Sequence, residues 1–189
     1  MKKKLNPGTL LTPLPAVIVT CGDMENSNAV TVAWTGIINS NPPMLYISLR
    51  PERYSFDIIK KTGEFAINLT TSSLAYATDF CGVKSGRDVD KFAALGLTKE
   101  EGNFIKAPII KESPVALECR VKEIKELGSH HMFISEILCV NAEEKYFDSK
   151  GKLNFEQMGL ISYSHGTYNA VGTKRGFFGF SVAKKKKKI

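Results

Sequence analysis

Two arginines and two serines lie just before a predicted helix, in a pattern that could bind a phosphate group. Ser48, Arg50, Arg53 and Ser55 follow a strand-like apolar segment, and a helix-like segment begins at Phe56. Arginine presents a planar fork of hydrogen-bond donors, and a helix N-terminus offers free N–H groups and a positive dipole. The pattern indicates a phosphate site. On these residues alone, surface charges beside an ordinary helix cap remain the alternative.

A second basic segment with an aromatic end follows later in the chain. It reads Lys-Ser-Gly-Arg-Asp-Val-Asp-Lys-Phe and ends at Lys91 and Phe92. A flexible basic loop of this kind could add positive charge to the same phosphate site. The sequence has neither a G-x-G-x-x-G nor a G-x-x-x-x-G-K-[ST] pattern, so neither a Rossmann nucleotide site nor a P-loop is expected.

The histidines and cysteines favour neither a metal site nor hydrolytic catalysis. His130 and His131 are adjacent on a predicted strand, so their side chains point to opposite faces and cannot easily share one metal. No nucleophile-elbow motif accompanies a histidine. The four cysteines are far apart and contain no C-x-x-C pair, so we expect buried, reduced thiols: Cys21, Cys81, Cys119 and Cys139.

The elements that must position these groups are mostly strands. Alternating or short apolar, β-branched runs predict six strands: 16–20, 29–35, 44–49, 65–69, one around 117–121 and 131–140. Helices are few and short: 56–62 with Ser55 as N-cap and Gly63 just past its end, 73–80 ending near Gly82, and one that starts around 89–92 and stops before Gly96. The sequence therefore predicts a mainly β protein, an antiparallel barrel or sandwich.

The charge of the chain is concentrated at its ends. The formal net charge is +7, but Lys2–Lys4 and Lys184–Lys188 supply eight of the 26 basic residues, which leaves 18 basic against 19 acidic residues. We expect one domain over residues 12–183, flanked by solvated tails at 1–11 and 184–189. No signal peptide and no membrane span are expected, so a cytoplasmic location is the default.

The order of several short motifs resembles the flavin reductase-like family, with flavoredoxins as the members most similar to it. Each motif is weak alone, but their order and spacing are specific over about residues 12–182. They comprise Asn28, Thr31-x-Ala33-Trp34-Thr35, Asn41-Pro42-Pro43, Ser48-x-Arg50-x-x-Arg53-x-Ser55, Gly63-Glu64-Phe65-x-Ile67-Asn68, the segment 85–92, Gly128-Ser129-His130 with the strand that follows, and Tyr163, Tyr168 and Gly172.

The resemblance implies an FMN-binding split β-barrel of Greek-key type with a few short helices, and a homodimer with FMN at its interface. It implies that Thr31, Ala33, Trp34 and Thr35 line the isoalloxazine, that Ser48, Arg50, Arg53 and Ser55 hold the phosphate and ribityl chain, that Lys91 adds charge and that Phe92 closes the pocket. His130 is implied near the flavin or its reductant, as a catalytic residue, and Tyr163 and Tyr168 either cover the ring edge or belong to the core. No metal is implied.

Two residues depart from the family pattern. Ser129 stands where the family motif has Asp, so His130 lacks a carboxylate partner next to it in the sequence. Ser135 replaces a Gly of the following strand, which argues against a close backbone approach at that position.

The expected function is electron transfer from NAD(P)H through FMN to free flavin or another small acceptor. A flavoredoxin-like carrier, reduced by a protein partner, is the alternative within the same class. Two hypotheses from other classes are a nucleic-acid or membrane-surface module that uses the lysine tails, and a related split barrel that binds haem or a pyridoxal-type phosphate. The aromatic-plus-basic strand patterns of RNA-binding domains are missing from the sequence, so no specific nucleic-acid partner is expected.

Overall fold

The computed structural model describes residues 1–182. The predicted lysine tail at 184–189 and the predicted domain end at residue 183 lie outside the described residues. Among the residues described, no helix is long and apolar enough to span a membrane.

Strands form most of the regular structure, as the alternating sequence pattern predicts. They are β1 Leu14–Pro15, β2 Val17–Gly22, β3 Ser27–Val32, β4 Thr35–Ser40, β5 Pro43–Leu49, β6 Glu64–Leu69, β7 Lys99–Glu100, β8 Ile109–Ile110, β9 Val115–Glu126, β10 His131–Ala142, β11 Ile161–Ser164 and β12 Thr167–Ala170. Within residues 1–182 three α-helices accompany them: α1 Tyr54–Thr62, α2 Ala75–Val83 and α3 Lys91–Leu95.

The main sheet has seven strands in the order β3-β2-β6-β9-β10-β5-β4, and all its pairings are antiparallel. Strands β3 and β5, which are far apart in this order, also contact each other, so the sheet curves toward closure. A separate three-stranded sheet has the order β1-β11-β12. The fold is the predicted one: mainly β, a split barrel with a few short helices.

Alternating side chains of the curved sheet fill the core. In β5, Leu45, Ile47 and Leu49 are buried, whereas the residues between them are only partly buried. Phe65 and Phe133 are fully buried in the same cluster. Each such side chain contributes about 1.5–3 kcal/mol through burial of apolar surface. The core therefore gives the strands that carry the candidate site a rigid support.

The predicted end of the second strand was wrong. The sequence predicts one strand over 29–35 and a linking segment from Gly36 to Pro43, but the structure ends β3 at Val32 and begins β4 at Thr35. Strand β4 pairs with β5 as a hairpin at the edge of the sheet. Its successive residues Ile37 and Ile38 are both exposed, so it lacks the alternation by which a half-buried strand is recognised.

The predicted N-cap of α1 was also wrong. Helix α1 begins at Tyr54 after Arg53, and Ser55 lies inside its first turn, where it is fully buried. The Ser55 hydroxyl accepts a hydrogen bond of 2.8 Å from the Asn28 side-chain amide, so a tertiary contact uses the group that would otherwise cap the helix. At the other end Gly63 is left-handed and its N–H donates to Ile59 O, as predicted.

The other two helices form as predicted, with small shifts at their ends. Three of the four cysteines are buried, as predicted. Helix α2 runs past Gly82 to Val83, and α3 ends at Leu95, just before Gly96 as predicted. The Asp90 carboxylate caps α3 by accepting from the N–H groups of Phe92 and Ala93. All four cysteines are free; three are buried, and Cys139 is partly buried.

Candidate functional site

A small cationic cavity lies where the start of α1 meets the segment that follows α2. We call it the anion pocket; its volume is about 80 Å³. Three cationic side chains and one carboxylate line it, so its net charge is positive. The lining residues are Asn28, Val30, Glu52, Arg53, Tyr54, Ser55, Val83, Lys84, Ser85, Gly86 and Lys91.

Lys91 is the buried cation of the anion pocket, with 3% of its surface exposed. Its Nζ donates hydrogen bonds to the backbone carbonyls of Ala29 at 2.6 Å and Cys81 at 2.9 Å. Burial lowers the pKa of Lys91, and the positive charge of Arg53 lowers it further. Within residues 1–182 no carboxylate forms an ion pair with this ammonium. A buried ammonium with one unused N–H and no counter-charge is suited to bind an anion.

Arg53 holds a second positive charge at the mouth of the same pocket. Its Nη1 donates to the carbonyl oxygen of Gly82 at 2.8 Å, which fixes the guanidinium over the end of α2. Its backbone carbonyl accepts the Phe56 N–H at the start of α1. The pocket therefore combines a positioned guanidinium with a helix N-terminus, and both favour a phosphate.

Gly86 allows the wall of the anion pocket to approach its floor. A Cβ at residue 86 would lie 2.2 Å from Oδ1 of Asn28 and 2.7 Å from Cδ1 of Tyr54. The Asn28 side chain cannot easily give way, because it is buried and donates to Ser55. Only glycine fits at this position without a shift.

A larger, mostly apolar cavity surrounds Trp34 and His130, and we call it the aromatic pocket. The two ring centroids lie 4.6 Å apart at an interplanar angle of 33°. The cavity has a volume of about 450 Å³. Its lining residues are Thr9, Leu11, Leu14, Trp34, Tyr46, Ser48, Leu127, Ser129, His130 and Met132.

The surroundings of His130 favour its uncharged form. Burial lowers its pKa, and the nearby Arg50 lowers it further, against the smaller opposing effect of Glu52. The hydroxyl of Ser129 lies 3.0 Å from Nδ1 of His130, so the serine at the family's Asp position still contacts the imidazole. A neutral imidazole can accept or donate a hydrogen bond at neutral pH, depending on its tautomer.

A third cavity of about 300 Å³ lies next to the anion pocket, and we call it the tyrosine pocket. Val83 lines both cavities, so they are neighbours. The Tyr168 hydroxyl donates to Asp79 Oδ1 at 3.3 Å, and burial together with that carboxylate raises the pKa of Tyr168 to about 12. The Tyr163 ring lies 5.5 Å from that of Tyr168. The lining residues are Ala16, Thr31, Ala33, Asp79, Gly82, Val83, Tyr163, Gly166 and Tyr168.

The structure distributes most of the predicted site residues among three cavities. Arg53, Ser55 and Lys91 lie in the anion pocket, Thr31 and Ala33 in the tyrosine pocket, and Trp34, Ser48 and His130 in the aromatic pocket. Thr35 starts β4, and its hydroxyl donates to the Tyr46 carbonyl at 2.5 Å. Arg50 is exposed and lies close enough to affect His130. The break between β3 and β4 places Ala33 in the tyrosine pocket and Trp34 in the aromatic pocket. This short segment therefore contributes to both cavities.

Phe92 is placed differently from the prediction. Its ring is 4% exposed and packs in a second core cluster with Ile18, Ala29 and Ile110. It lines none of the three cavities among the described residues. The sequence places Phe92 next to Lys91 but cannot show that adjacent residues of a short helix face different surroundings.

Several residues of the site were not predicted. Asn28 and Gly86 shape the anion pocket, and the N-terminal residues Leu11 and Leu14 line the aromatic pocket. The sequence presents Asn28 only as a motif residue and Gly86 only as part of a basic loop, and it places Leu11 in the N-terminal tail and Leu14 near its border. The pairing of Leu14 with Tyr163 brings the N-terminal segment to the site, and sequence spacing gives no signal for this contact. No metal-binding cluster of His, Cys, Asp or Glu occurs within residues 1–182.

The fold and these cavities define a member of the flavin reductase-like class. Residues 10–171 match the family model described as the flavin reductase like domain, and the chain belongs to this family. The fold is similar to flavoredoxin of Desulfovibrio vulgaris (Miyazaki F), with a TM-score of 0.90, 31% identity and coverage of 97% of this chain and 100% of the other. Flavoredoxin from Methanosarcina acetivorans is also similar, with a TM-score of 0.88, 30% identity and coverage of 97% of this chain and 100% of the other. An uncharacterized protein of Archaeoglobus fulgidus is 33% identical over 146 residues, which cover 77% of this chain and 82% of that protein.

Proposed function

We propose that this protein binds FMN and passes electrons from NAD(P)H to free flavin or another small acceptor. One observation carries the proposal: the buried ammonium of Lys91 has no counter-ion among residues 1–182, in a pocket that also contains Arg53 and borders a cavity lined by tyrosines. A molecule with a dianionic end and a flat conjugated ring satisfies both features.

The residues fit FMN in size and chemistry. The anion pocket, at about 80 Å³, suits a single phosphate group. The tyrosine and aromatic pockets, at about 300 and 450 Å³, suit a flat ring and a second small molecule beside it. In this proposal Arg53, Ser55 and Lys91 hold the phosphate, and the segment Thr31–Thr35 holds the ring. In this proposal Arg50 and Ser48 hold the ribityl chain.

Bound FMN would supply the one- and two-electron chemistry that none of the side chains at this site provides. The protein's part is to bind, orient and exclude water. Lys91 and Arg53 fix the anionic end, while Trp34 closes one side of the aromatic pocket. His130, uncharged at neutral pH, offers a hydrogen bond to a nicotinamide or another reactant in that pocket without adding a positive charge.

We also propose a homodimer that uses the face around β4. This edge strand exposes Ile37 (68%) and Ile38 (48%), and Trp34 beside it is 37% exposed. An exposed, apolar edge strand is a surface that proteins normally cover. A second copy of the chain would cover it and, with it, one side of the aromatic pocket. Substitution of Ile37 and Ile38 by Lys should then shift the elution of the protein toward the monomer.

A flavoredoxin-like electron carrier is the second candidate. The observation that favours it is the likeness to two flavoredoxins over nearly the whole chain. In this version a protein partner reduces the bound FMN, and the chain has no NAD(P)H activity of its own. The site residues keep the same roles toward FMN in both versions.

The absorption spectrum of protein purified from riboflavin-supplemented cells tests the cofactor, once the extracted chromophore has been identified. We expect a yellow protein that contains FMN. Protein that stays colourless and does not bind added FMN would rule out the proposal. The spectrum of haem or of a pyridoxal-type phosphate would identify that group as the cofactor instead of FMN. Rapid mixing with NADH and NADPH then separates the two versions. Loss of flavin absorbance within seconds supports the oxidoreductase, and an unchanged spectrum supports the carrier.

A further inference from the structure

The aromatic pocket is built on the outer face of two paired strands. Tyr46 and Ser48 of β5 and Met132 of β10 line it, and Met132 lies opposite Ser48 in the sheet. Successive residues of a strand face opposite sides of the sheet. Ile47 and Phe133, which follow Tyr46 and Met132 in the sequence, are accordingly fully buried in the core. The floor of the cavity is therefore the back of a packed sheet, which resists changes of shape.

The N-terminal segment forms one wall of this cavity. Leu11 and Leu14 line it, and Leu14 pairs with Tyr163 of β11. The Thr12 hydroxyl donates a hydrogen bond of 2.8 Å to the Ser164 hydroxyl, which ties the segment to the same strand. Two leucines from a distant part of the chain are therefore held beside the floor of the cavity.

No lining residue of the aromatic pocket carries a fixed charge. Within residues 1–182 its lining contains no Lys, Arg, Asp or Glu, whereas three cations and one carboxylate line the anion pocket. Burial lowers the pKa of His130, the lining histidine, and so favours the neutral ring. Arg50 lies near His130 but is not among the lining residues. An anion in this cavity would give up hydration without a lining cation to replace it, which is unfavourable.

His130 and Trp34 give the cavity one directed polar group and one flat surface. The Ser129 hydroxyl lies 3.0 Å from Nδ1 of His130. When this hydroxyl donates to Nδ1, the ring proton is on Nε2, which can then donate to a carbonyl oxygen. The Trp34 ring, 4.6 Å from that of His130, offers an aromatic surface against which another ring can pack. The lining therefore suits a flat, uncharged molecule with a carbonyl group.

We propose that the aromatic pocket binds uncharged para-quinones and discriminates against their anionic analogues. Its volume of about 450 Å³ falls within the range of about 300–1,000 Å³ that is usual for small-molecule sites. A para-quinone is flat, uncharged and able to take up two electrons. Its role as the electron acceptor rests on the proposed function, and it narrows the small acceptors named there to uncharged ones.

Reduction of a para-quinone balances with the proposed flavin chemistry. The quinone gains two electrons and two protons, so that each C=O becomes C–OH and two O–H bonds form. Reduced FMN supplies both electrons and one proton and is itself oxidised, while water supplies the second proton. His130 donates a hydrogen bond to one carbonyl oxygen and keeps its proton.

Binding of two naphthoquinones that differ in charge tests the proposal. The compound 2-methyl-1,4-naphthoquinone is uncharged, and 1,4-naphthoquinone-2-sulfonate has the same ring system with one negative charge. Trp34 is the only tryptophan of the chain and lines the aromatic pocket, so quenching of its fluorescence reports binding to the full-length protein. We expect the uncharged compound to bind at least about tenfold more tightly. Calorimetric titration of the FMN-loaded protein should give the same order of affinities.

Two substitutions locate the binding within the cavity. Leu127→Lys adds a cation to its lining at a side chain that is 55% exposed, and it should reduce the preference for the uncharged compound about threefold. Val140→Lys is the matched control, because Val140 is 53% exposed on β10 and lines none of the three cavities among the described residues. The control should leave the preference unchanged. His130→Phe keeps a flat ring but removes the N–H, and it should weaken binding of the uncharged compound about threefold to tenfold.

Anaerobic rapid mixing tests the role of the quinone as acceptor. Oxidation of the photoreduced, FMN-loaded protein by the uncharged quinone should reach a limiting rate in the concentration range in which the quinone binds. A rate that rises linearly throughout that range would mean reaction outside a binding site and would overturn the acceptor role.

Three results would overturn the assignment of the cavity. They are equal affinity for the two naphthoquinones, equal effects of Leu127→Lys and Val140→Lys, and displacement of the quinone by FMN, which would place the flavin ring itself in the aromatic pocket. Failure of the proposed function is distinguishable from these. A protein that does not bind FMN would refute that function, while the fluorescence titration without FMN would still decide whether the cavity selects uncharged quinones.

Discussion

The Nζ atom of Lys91 lies 2.6 Å from the carbonyl oxygen of Ala29, and this hydrogen bond ties α3 to β3 at the floor of the anion pocket. The second bond, to the Cys81 carbonyl, adds the end of α2 to the same point. Two carbonyl dipoles compensate a full positive charge only in part. One lysine therefore joins three elements of the fold and leaves a site that an anion completes.

Replacement of Lys91 by Met should separate binding from folding. Loss of the ammonium should weaken FMN binding about tenfold to a hundredfold, or 1.5–3 kcal/mol, because a charge-assisted contact to phosphate is lost. The free energy of unfolding of the apoprotein should change less, since removal of a desolvated charge offsets the two carbonyls left without a donor. Calorimetric titration with FMN and urea unfolding measure the two quantities. Unchanged FMN affinity would show that Lys91 does not contact the phosphate.

The pH dependence of FMN binding should follow the titration of Lys91. Its pKa is lowered from 10.5 in the folded apoprotein, so between the lowered pKa and 10.5 the unfolded chain binds more protons than the folded one. The free energy of unfolding of the apoprotein should therefore rise with pH in that window. FMN affinity should fall over the same range, because binding requires the charged ammonium. Lys91→Met should remove the lysine-dependent part of both trends, and identical pH profiles in the two proteins would contradict the assignment.

Arg53 allows a test with a closely matched control. Arg53→Ala should weaken FMN binding about tenfold to a hundredfold, since the guanidinium at the pocket mouth is lost. Arg120 is also exposed and also donates to a backbone carbonyl, that of Phe104, but it lies on β9 and lines none of the three cavities among the described residues. Arg120→Ala should leave FMN affinity unchanged in the same fluorescence titration. An equal loss in both variants would point to a general effect of net charge.

The sequence predicts the strands of this fold better than it predicts the surroundings of the site. Alternation within 44–49 reflects burial on one face of a sheet, and that pattern is local. Within 117–121 the alternation is misleading, because Glu118 is fully buried whereas Leu117 and Val121 are only partly buried. Strand β4 escapes recognition because Ile37 and Ile38 are both exposed. An exposed apolar pair on an edge strand breaks the period-2 pattern, so the local sequence carries no signal for this strand.

Side-chain burial at the site depends on contacts between distant segments. The basic motifs indicate a phosphate site, but Lys91 is buried only because Ala29 and Cys81, 62 and 10 residues away, offer their carbonyls. Ser55 is a good N-cap by residue type, yet the tertiary contact with Asn28 places it within the helix. The sequence shows which residue types are available for the site, but the packing of the barrel decides the role of each residue.

Gly86 should be intolerant of even one added methyl group. The new Cβ of Gly86→Ala would overlap Oδ1 of Asn28, so the loop and the pocket floor must separate. We expect FMN affinity to fall about tenfold or more, because the donors around the phosphate lose their alignment. Gly172→Ala is the control, since nothing lies within 4 Å of its Cβ. If both variants bind FMN equally well, the wall of the anion pocket adapts more easily than its packing indicates.

His130 should remain uncharged at neutral pH, and the positive charge of Arg50 should be one of the two main causes of its lowered pKa. Burial is the larger cause of its lowered pKa and Arg50 the next, so Arg50→Gln should raise the pKa of His130 but leave it below 6.5. Because the folded protein binds fewer protons at this group than the unfolded chain, His130 should add to the pH-dependent rise of the unfolding free energy only up to about pH 6.5. The NMR shift of the imidazole Hε1 against pH measures the pKa directly, and Arg120→Gln is the control. An imidazole that titrates above 6.5 in the unsubstituted protein would mean that the aromatic pocket carries a positive charge, and a hydrogen-bonding role for a neutral His130 would then be wrong.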